Sequence, residues 1–230
     1  YIKDTTTSLR EDVLIKGKID DQYTTTQASD IPEQYELVET PENATGTMTE
    51  EQIIVTYYYQ LKSYSYTINY LEKDTEEVLH EAKQGNELLY GSTVKASDEK
   101  IEIDGYKFDS ADKDILTIGT KANIINIYYV KRNDLTYTVN YLEKDTNKVL
   151  ETAKVQDGVT FDTVIELKNE IISIDGYNYD SADKETLKIT TGENVINIYY
   201  TKRNDLSYTV NYLEKTTNKV VHEAKTVGNK

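Results

Sequence analysis

The side chains of this chain best suited to molecular recognition are its tyrosines, 21 of them against two phenylalanines and no tryptophan. Three of them, Tyr57, Tyr128 and Tyr199, recur at a spacing of 71 residues and are assigned to the outer face of equivalent strands. A ring laid open on a sheet is a stacking platform for a sugar, weak singly and effective when several act together. Strand packing, or burial against a neighbouring repeat, would use the same rings without any ligand. These three tyrosines are the candidate ligand-binding residues.

Catalytic patterns are absent. His80 and His222 sit two repeat lengths apart, and the equivalent position between them is Glu151. A base or ligand that the middle copy discards is a poor catalyst, so both read as surface strand residues. Asp109, Asp112 and Asp114, echoed by Asp180, Asp183 and Glu185, make an acidic loop. It lacks the alternating carboxylates around a glycine that an EF-hand uses to wrap calcium, and reads as a solvated turn. Paired carboxylates for glycoside hydrolysis need a cleft, for which a strand module of 71 residues has little room. No phosphate loop, Ser/His/Asp set or zinc spacing occurs. The expectation is a protein that is not an enzyme and takes no cofactor and no metal.

What positions the tyrosines is a repeat. Tyr66-Thr-Ile-Asn-Tyr70-Leu-Glu-Lys-Asp-Thr75 returns at Tyr137–Thr146 and, as Tyr-Thr-Val-Asn-Tyr-Leu-Glu-Lys-Thr-Thr, at Tyr208–Thr217. Ile103-Asp-Gly-Tyr106 returns at Ile174–Tyr177, and Asn126-Ile-Tyr-Tyr129 at Asn197–Tyr200. Such self-similarity marks a tandem array. The copies are read as 1–62, with its leading strand cut off, then 63–133, 134–204, and a partial copy, 205–230, holding only a first hairpin.

Within a copy, Tyr66, Ile68 and Tyr70 alternate with polar residues at the period of a strand. Val78 to Lys83 is read as its hairpin partner, and the stretch from Asn86 to Lys100 as a short helix or irregular crossover. Tyr106 to Asp109 and Ala122 to Val130 complete the set, with Ile125, Ile127 and Tyr129 on the core face. No segment carries a helical apolar stripe, so the fold class is predominantly β with little helix. The partial copy, if ordered, is expected to dock on the third or on a neighbouring chain. Connectors such as Lys131-Arg-Asn-Asp-Leu135 lack Pro and Gly/Ser runs, which suggests an elongated, semi-rigid array whose neighbouring repeats touch.

Acidic residues outnumber Lys and Arg by 41 to 26, a formal charge of −15. Such a field disfavours nucleic acid and anionic lipid as partners. No run approaches the roughly 20 apolar residues of a membrane span, so membrane insertion by this segment is not expected. There is no cysteine, hence no disulfide framework.

The first copy resembles the MucBP (mucin-binding protein) repeats of Gram-positive surface proteins. It carries Gly17-Lys-Ile-Asp-Asp-Gln-Tyr23, Ile31-Pro-x-x-Tyr35-Glu-Leu37, Pro41-Glu-Asn-Ala-Thr-Gly46 and Val55-Thr-Tyr57-Tyr58 in the order of that pattern. Gln34 stands where the family usually has glycine. The later copies resemble its longer variant. The resemblance implies α+β modules of β-grasp (ubiquitin-like) type in an extracellular, cell-wall-attached adhesin. It also implies host mucin, or other glycans and glycoproteins, as partner, or else a pure spacer with no ligand of its own.

Overall fold

The computed structural model describes residues 1–228. The chain divides into two compact units, Tyr1–Ile103 with Lys107–Val130, and Asp104–Tyr106 with the chain from Lys131 onward.

The first unit opens with four short strands, β1 (Gln22–Thr24), β2 (Tyr35–Leu37), β3 (Thr45–Thr47) and β4 (Tyr59–Leu61), paired as ribbons β1–β3 and β2–β4. The first residues lie along the closing strand of this copy. The Tyr1 ammonium donates to the Tyr57 carbonyl at 3.0 Å and the Lys3 amide to the Tyr59 carbonyl at 2.8 Å.

The same unit continues with β5 (Ser63–Glu72), β6 (Val78–Leu89), β7 (Thr93–Lys95), a 3-10 turn (Ala96–Glu99), β8 (Tyr106–Ala111), β9 (Ile115–Thr117) and β10 (Ile124–Lys131). A four-stranded sheet has the order β6-β5-β10-β8, with β5 and β10 parallel at its centre. The period-2 reading holds: Ile68, Ile125 and Ile127 are fully buried, and Tyr70 and Tyr129 nearly so. Both of these tyrosines also find a partner for their hydroxyls. Tyr70 donates to the Glu99 carbonyl at 3.1 Å and Tyr129 to the Ile101 carbonyl at 2.9 Å.

The crossover between hairpin and third strand is not helical. β6 runs on to Leu89, and the chain then forms an antiparallel ribbon, β7 with β9, beside the single 3-10 turn. Val94 and Leu116 face each other across the ribbon and are both buried, so it supplies the apolar cover that a helix would give. The β-branched Thr93 and Val94 favour that outcome.

In the second unit, β11 (Leu135–Glu143), β12 (Val149–Val159), β13 (Val164–Glu166), a 3-10 turn (Leu167–Asn169), β14 (Tyr177–Ala182), β15 (Thr186–Lys188) and β16 (Val195–Lys202) repeat this pattern. The sheet order is β12-β11-β16-β14, again with a parallel central pair, and β13 pairs with β15. Its core joins Val139, Tyr141, Leu167, Leu187, Ile189, Ile196, Ile198 and Tyr200. Gly105 and Gly176 take positive φ (78° and 76°) in the two Asp-Gly-Tyr turns, a conformation that suits glycine. Gln34 is not among the positive-φ residues, so the first copy makes its turn differently.

The partial copy forms the hairpin of β17 (Ser207–Leu213) and β18 (Val220–Gly228). Its docking face is not buried: Tyr208 is 62% and Tyr212 41% exposed, where the equivalent Tyr137 and Tyr141 of the preceding copy are 4% and 3%. The reason lies in the complete copies, where the closing strand pairs with the edge that β17 leaves open.

Candidate functional site

The outer face of each four-stranded sheet gathers the side chains that the alternation points away from the core. In the second unit Tyr199 lies between Leu142 of β11 and Ser181 of β14, and all three are half-buried. One step along β16 on the same face, Asn197 accepts the Asn140 amide on its Oδ1 at 2.8 Å. It also donates its backbone and side-chain N–H to the two oxygens of Asp183, both at 3.0 Å. The first unit repeats the arrangement. Asn69 donates to Asn126 at 2.8 Å, Asn126 donates to Asp112 at 3.0 and 3.2 Å, and Tyr128 stands two residues further along β10.

This row of amides and carboxylate is the part of the face that tyrosine spacing does not reveal. Asn69 and Asn126 are 57 residues apart and meet only because β5 and β10 run parallel in register. The recurrence of both asparagines in the next copy was the available signal.

Tyr57 sits elsewhere. The pairing of β2 with β4 sets Leu37 opposite Tyr59, as β14 with β16 sets Tyr179 opposite Tyr200. The Lys3, Lys73 and Lys144 amides likewise donate to the carbonyls of Tyr59, Tyr129 and Tyr200. Tyr58 therefore holds the place of Tyr128 and Tyr199, and it is 45% exposed. The Tyr57 hydroxyl is instead 3.0 Å from that of Thr25. An open hollow of about 540 Å³ beside Tyr58 is lined by Lys3, Asp4, Thr5 and Thr6.

Beneath the sheet a second polar cluster has a structural task. Glu170, 6% exposed, accepts the Tyr137 hydroxyl at 2.9 Å and the Lys154 ammonium at 2.6 Å. Glu99 does the same for Tyr66 at 3.3 Å and Lys83 at 2.5 Å. These bonds tie each 3-10 turn to the first hairpin of its copy. The carboxylates hold both lysines above the ordinary ammonium value, through the hydrogen bond first. Burial raises the tyrosines, with the neighbouring carboxylate adding to it.

The acidic loop is also structural. Lys73 and Lys144 bond Asp109 and Asp180 at 2.6 and 2.5 Å, holding these carboxyls below their ordinary value. His80 lies on β6, its ring edge-on to Tyr70 at 5.7 Å. Among the described residues no cluster of His, Cys, Asp or Glu is arranged to hold a metal ion, and no helix is long and apolar enough to cross a membrane.

Both complete copies thus carry the same row of tyrosine, amide and carboxylate on one sheet face. The MucBP domain model matches residues 1–60 and 66–130, and the chain belongs to that family. It is 32% identical over 211 residues to Internalin J of Listeria monocytogenes serotype 4b, a match covering 88% of this chain and 22% of that protein. To Internalin J of serovar 1/2a it is 30% identical over 227 residues, covering 93% of this chain and 25% of the relative. The chain thus spans about a quarter or less of the length of the curated relatives it matches. A solved structure of tandem SHIRT domains 3-4 from a streptococcal cell surface protein aligns with 61% of this chain and 98% of its own length. Its TM-score is 0.26 and its identity 13%.

Proposed function

We propose that this is a non-enzymatic repeat segment of a bacterial cell-surface adhesin, acting as stalk and as a multivalent binder of mucin-type or other glycans. The observation that carries the reading is the recurrence of one tyrosine–amide face in both complete copies of a MucBP-family chain. A ring flanked by amide and carboxylate groups suits a sugar, with its apolar face for the ring and its hydroxyls for the polar row. Each face is shallow, so single-site binding is weak and retention comes from several sites acting together. Tyr58, Tyr128 and Tyr199 are the rings assigned to it.

The modules are assigned as 1–62, 63–133 and 134–204, of β-grasp type, with a partial copy, 205–230, that holds only the first hairpin; in the second and third a ribbon stands in place of the helix. Family membership and the likeness to Internalin J support an extracellular, wall-attached setting. The competing reading is a spacer without ligand, which the half-buried state of Tyr128 and Tyr199 favours. A glycan array probed with the whole chain separates them. Specific retention supports the adhesin, silence leaves the spacer, and release of sugar would overturn the non-enzymatic assignment.

A further inference from the structure

The polar row beside each outer tyrosine is rich in acceptors. Asn69 uses its amide N–H on Asn126, which leaves its own Oδ1 as an acceptor, and Asn140 does the same toward Asn197. The Asp112 and Asp183 carboxylates each receive two N–H groups from the adjoining asparagine, and carboxylate oxygens have lone pairs to spare for further donors. The lysine beside each carboxylate spends one of its three N–H donors on a backbone carbonyl. Lys113 donates to the Ile124 carbonyl at 2.6 Å and lies 3.5 Å from Asp112. Lys184 donates to the Val195 carbonyl at 2.5 Å and lies 3.8 Å from Asp183.

Such a surface accepts hydroxyl and amide donors and has its nearest lysine tied to backbone. An anionic group brought here meets a carboxylate within a chain of formal charge −15, which weakens its binding through like-charge repulsion and lost hydration. We infer that the row Asn69–Asn126–Asp112 with Tyr128, and the row Asn140–Asn197–Asp183 with Tyr199, are subsites for an uncharged hexose or N-acetylhexosamine. They select against sialylated and sulfated sugars. The inference rests on the glycan-binding reading and specifies its ligand class.

The test measures retention of the whole chain on matched glycan pairs that differ only in a terminal sialic acid or sulfate, at about 0.15 M salt, where surface charges remain partly unscreened. The uncapped member is expected to hold the chain about tenfold better, a difference of about 1.4 kcal/mol. Asn126→Ala with Asn197→Ala lowers retention of the neutral member several-fold. Asp112→Asn with Asp183→Asn keeps the shape, removes the charge and narrows the gap within each pair.

Circular dichroism of each variant confirms that the sheets persist. Stronger retention of the charged member overturns this inference while leaving glycan binding in place. Neutral binding that the folded asparagine variant does not change overturns the subsite. Retention of neither member overturns the glycan-binding reading, and this inference with it.

Discussion

Glu170 shows how much one side chain can hold at the residue scale. Replacing it with alanine strands the Tyr137 hydroxyl, which is buried with its acceptor gone, while the Lys154 side chain, 42% exposed, recovers water. The hydroxyl therefore dominates the loss, about 1–3 kcal/mol. Glu170→Gln retains an acceptor and should lose less, a ranking that chemical denaturation of the two variants checks. The outer tyrosines give a second prediction. Tyr128→Ala with Tyr199→Ala removes rings flanked by neighbouring strands, so the melting temperature should fall by several degrees, as about 1 kcal/mol does in a small domain. An unchanged melt with lost glycan retention would instead mark the rings as purely functional. Repeat spacing made these tyrosines legible, whereas Glu170 was not, because its partners lie 16 and 33 residues away. Tyr57 was misassigned for a local reason: the buried tyrosines Tyr59, Tyr129 and Tyr200 are separated by 70 and then 71 residues.

At the scale of elements, alternation carried most of the information. β5, β10, β11 and β16 show apolar residues at every second position, and these are the central strands. The ribbons β7–β9 and β13–β15 were not legible, since three residues per strand give no period to read. Their role emerges only when Val94 meets Leu116, or Ile165 meets Leu187, across more than 20 residues of chain. The core between sheet and ribbon is thin, and a central residue in it is correspondingly costly to truncate. Ile198 is fully buried in β16, and Ile198→Ala should lose about 2–5 kcal/mol. Val164→Ala, at an exposed ribbon position, should change stability by less than about 0.5 kcal/mol. Comparable losses at both sites would argue against this sheet-and-ribbon core.

Across the whole molecule, the titrating groups set a broad stability plateau. Burial raises Tyr70, Tyr129, Tyr141 and Tyr200 above the ordinary value of 10.0, and hydrogen bonds raise Lys83 and Lys154 above 10.5. Raised groups contribute fully below their unfolded values and lose that contribution as pH climbs through the folded ones. Asp109 and Asp180 are lowered from 3.8, so their contribution is present above that value and is lost as pH falls through the folded ones. Melting temperature should stay nearly level from about pH 5 to about pH 10 and drop beyond both ends. A steep decline starting near neutrality would contradict this assignment.

The parallel central pair has a consequence for a molecule under load. In each complete copy the entering strand and the leaving strand lie side by side and run the same way, through six matched residue pairs from Thr67 with Ile124 to Glu72 with Tyr129. Tension on the chain pulls the two strands past each other, so their slanted hydrogen bonds resist together in shear. The hairpin β17–β18 is antiparallel, and the same tension peels it open one pair at a time. Stretched from its ends in a single-molecule experiment, the chain should surrender that hairpin at low force and its complete copies only at much higher force.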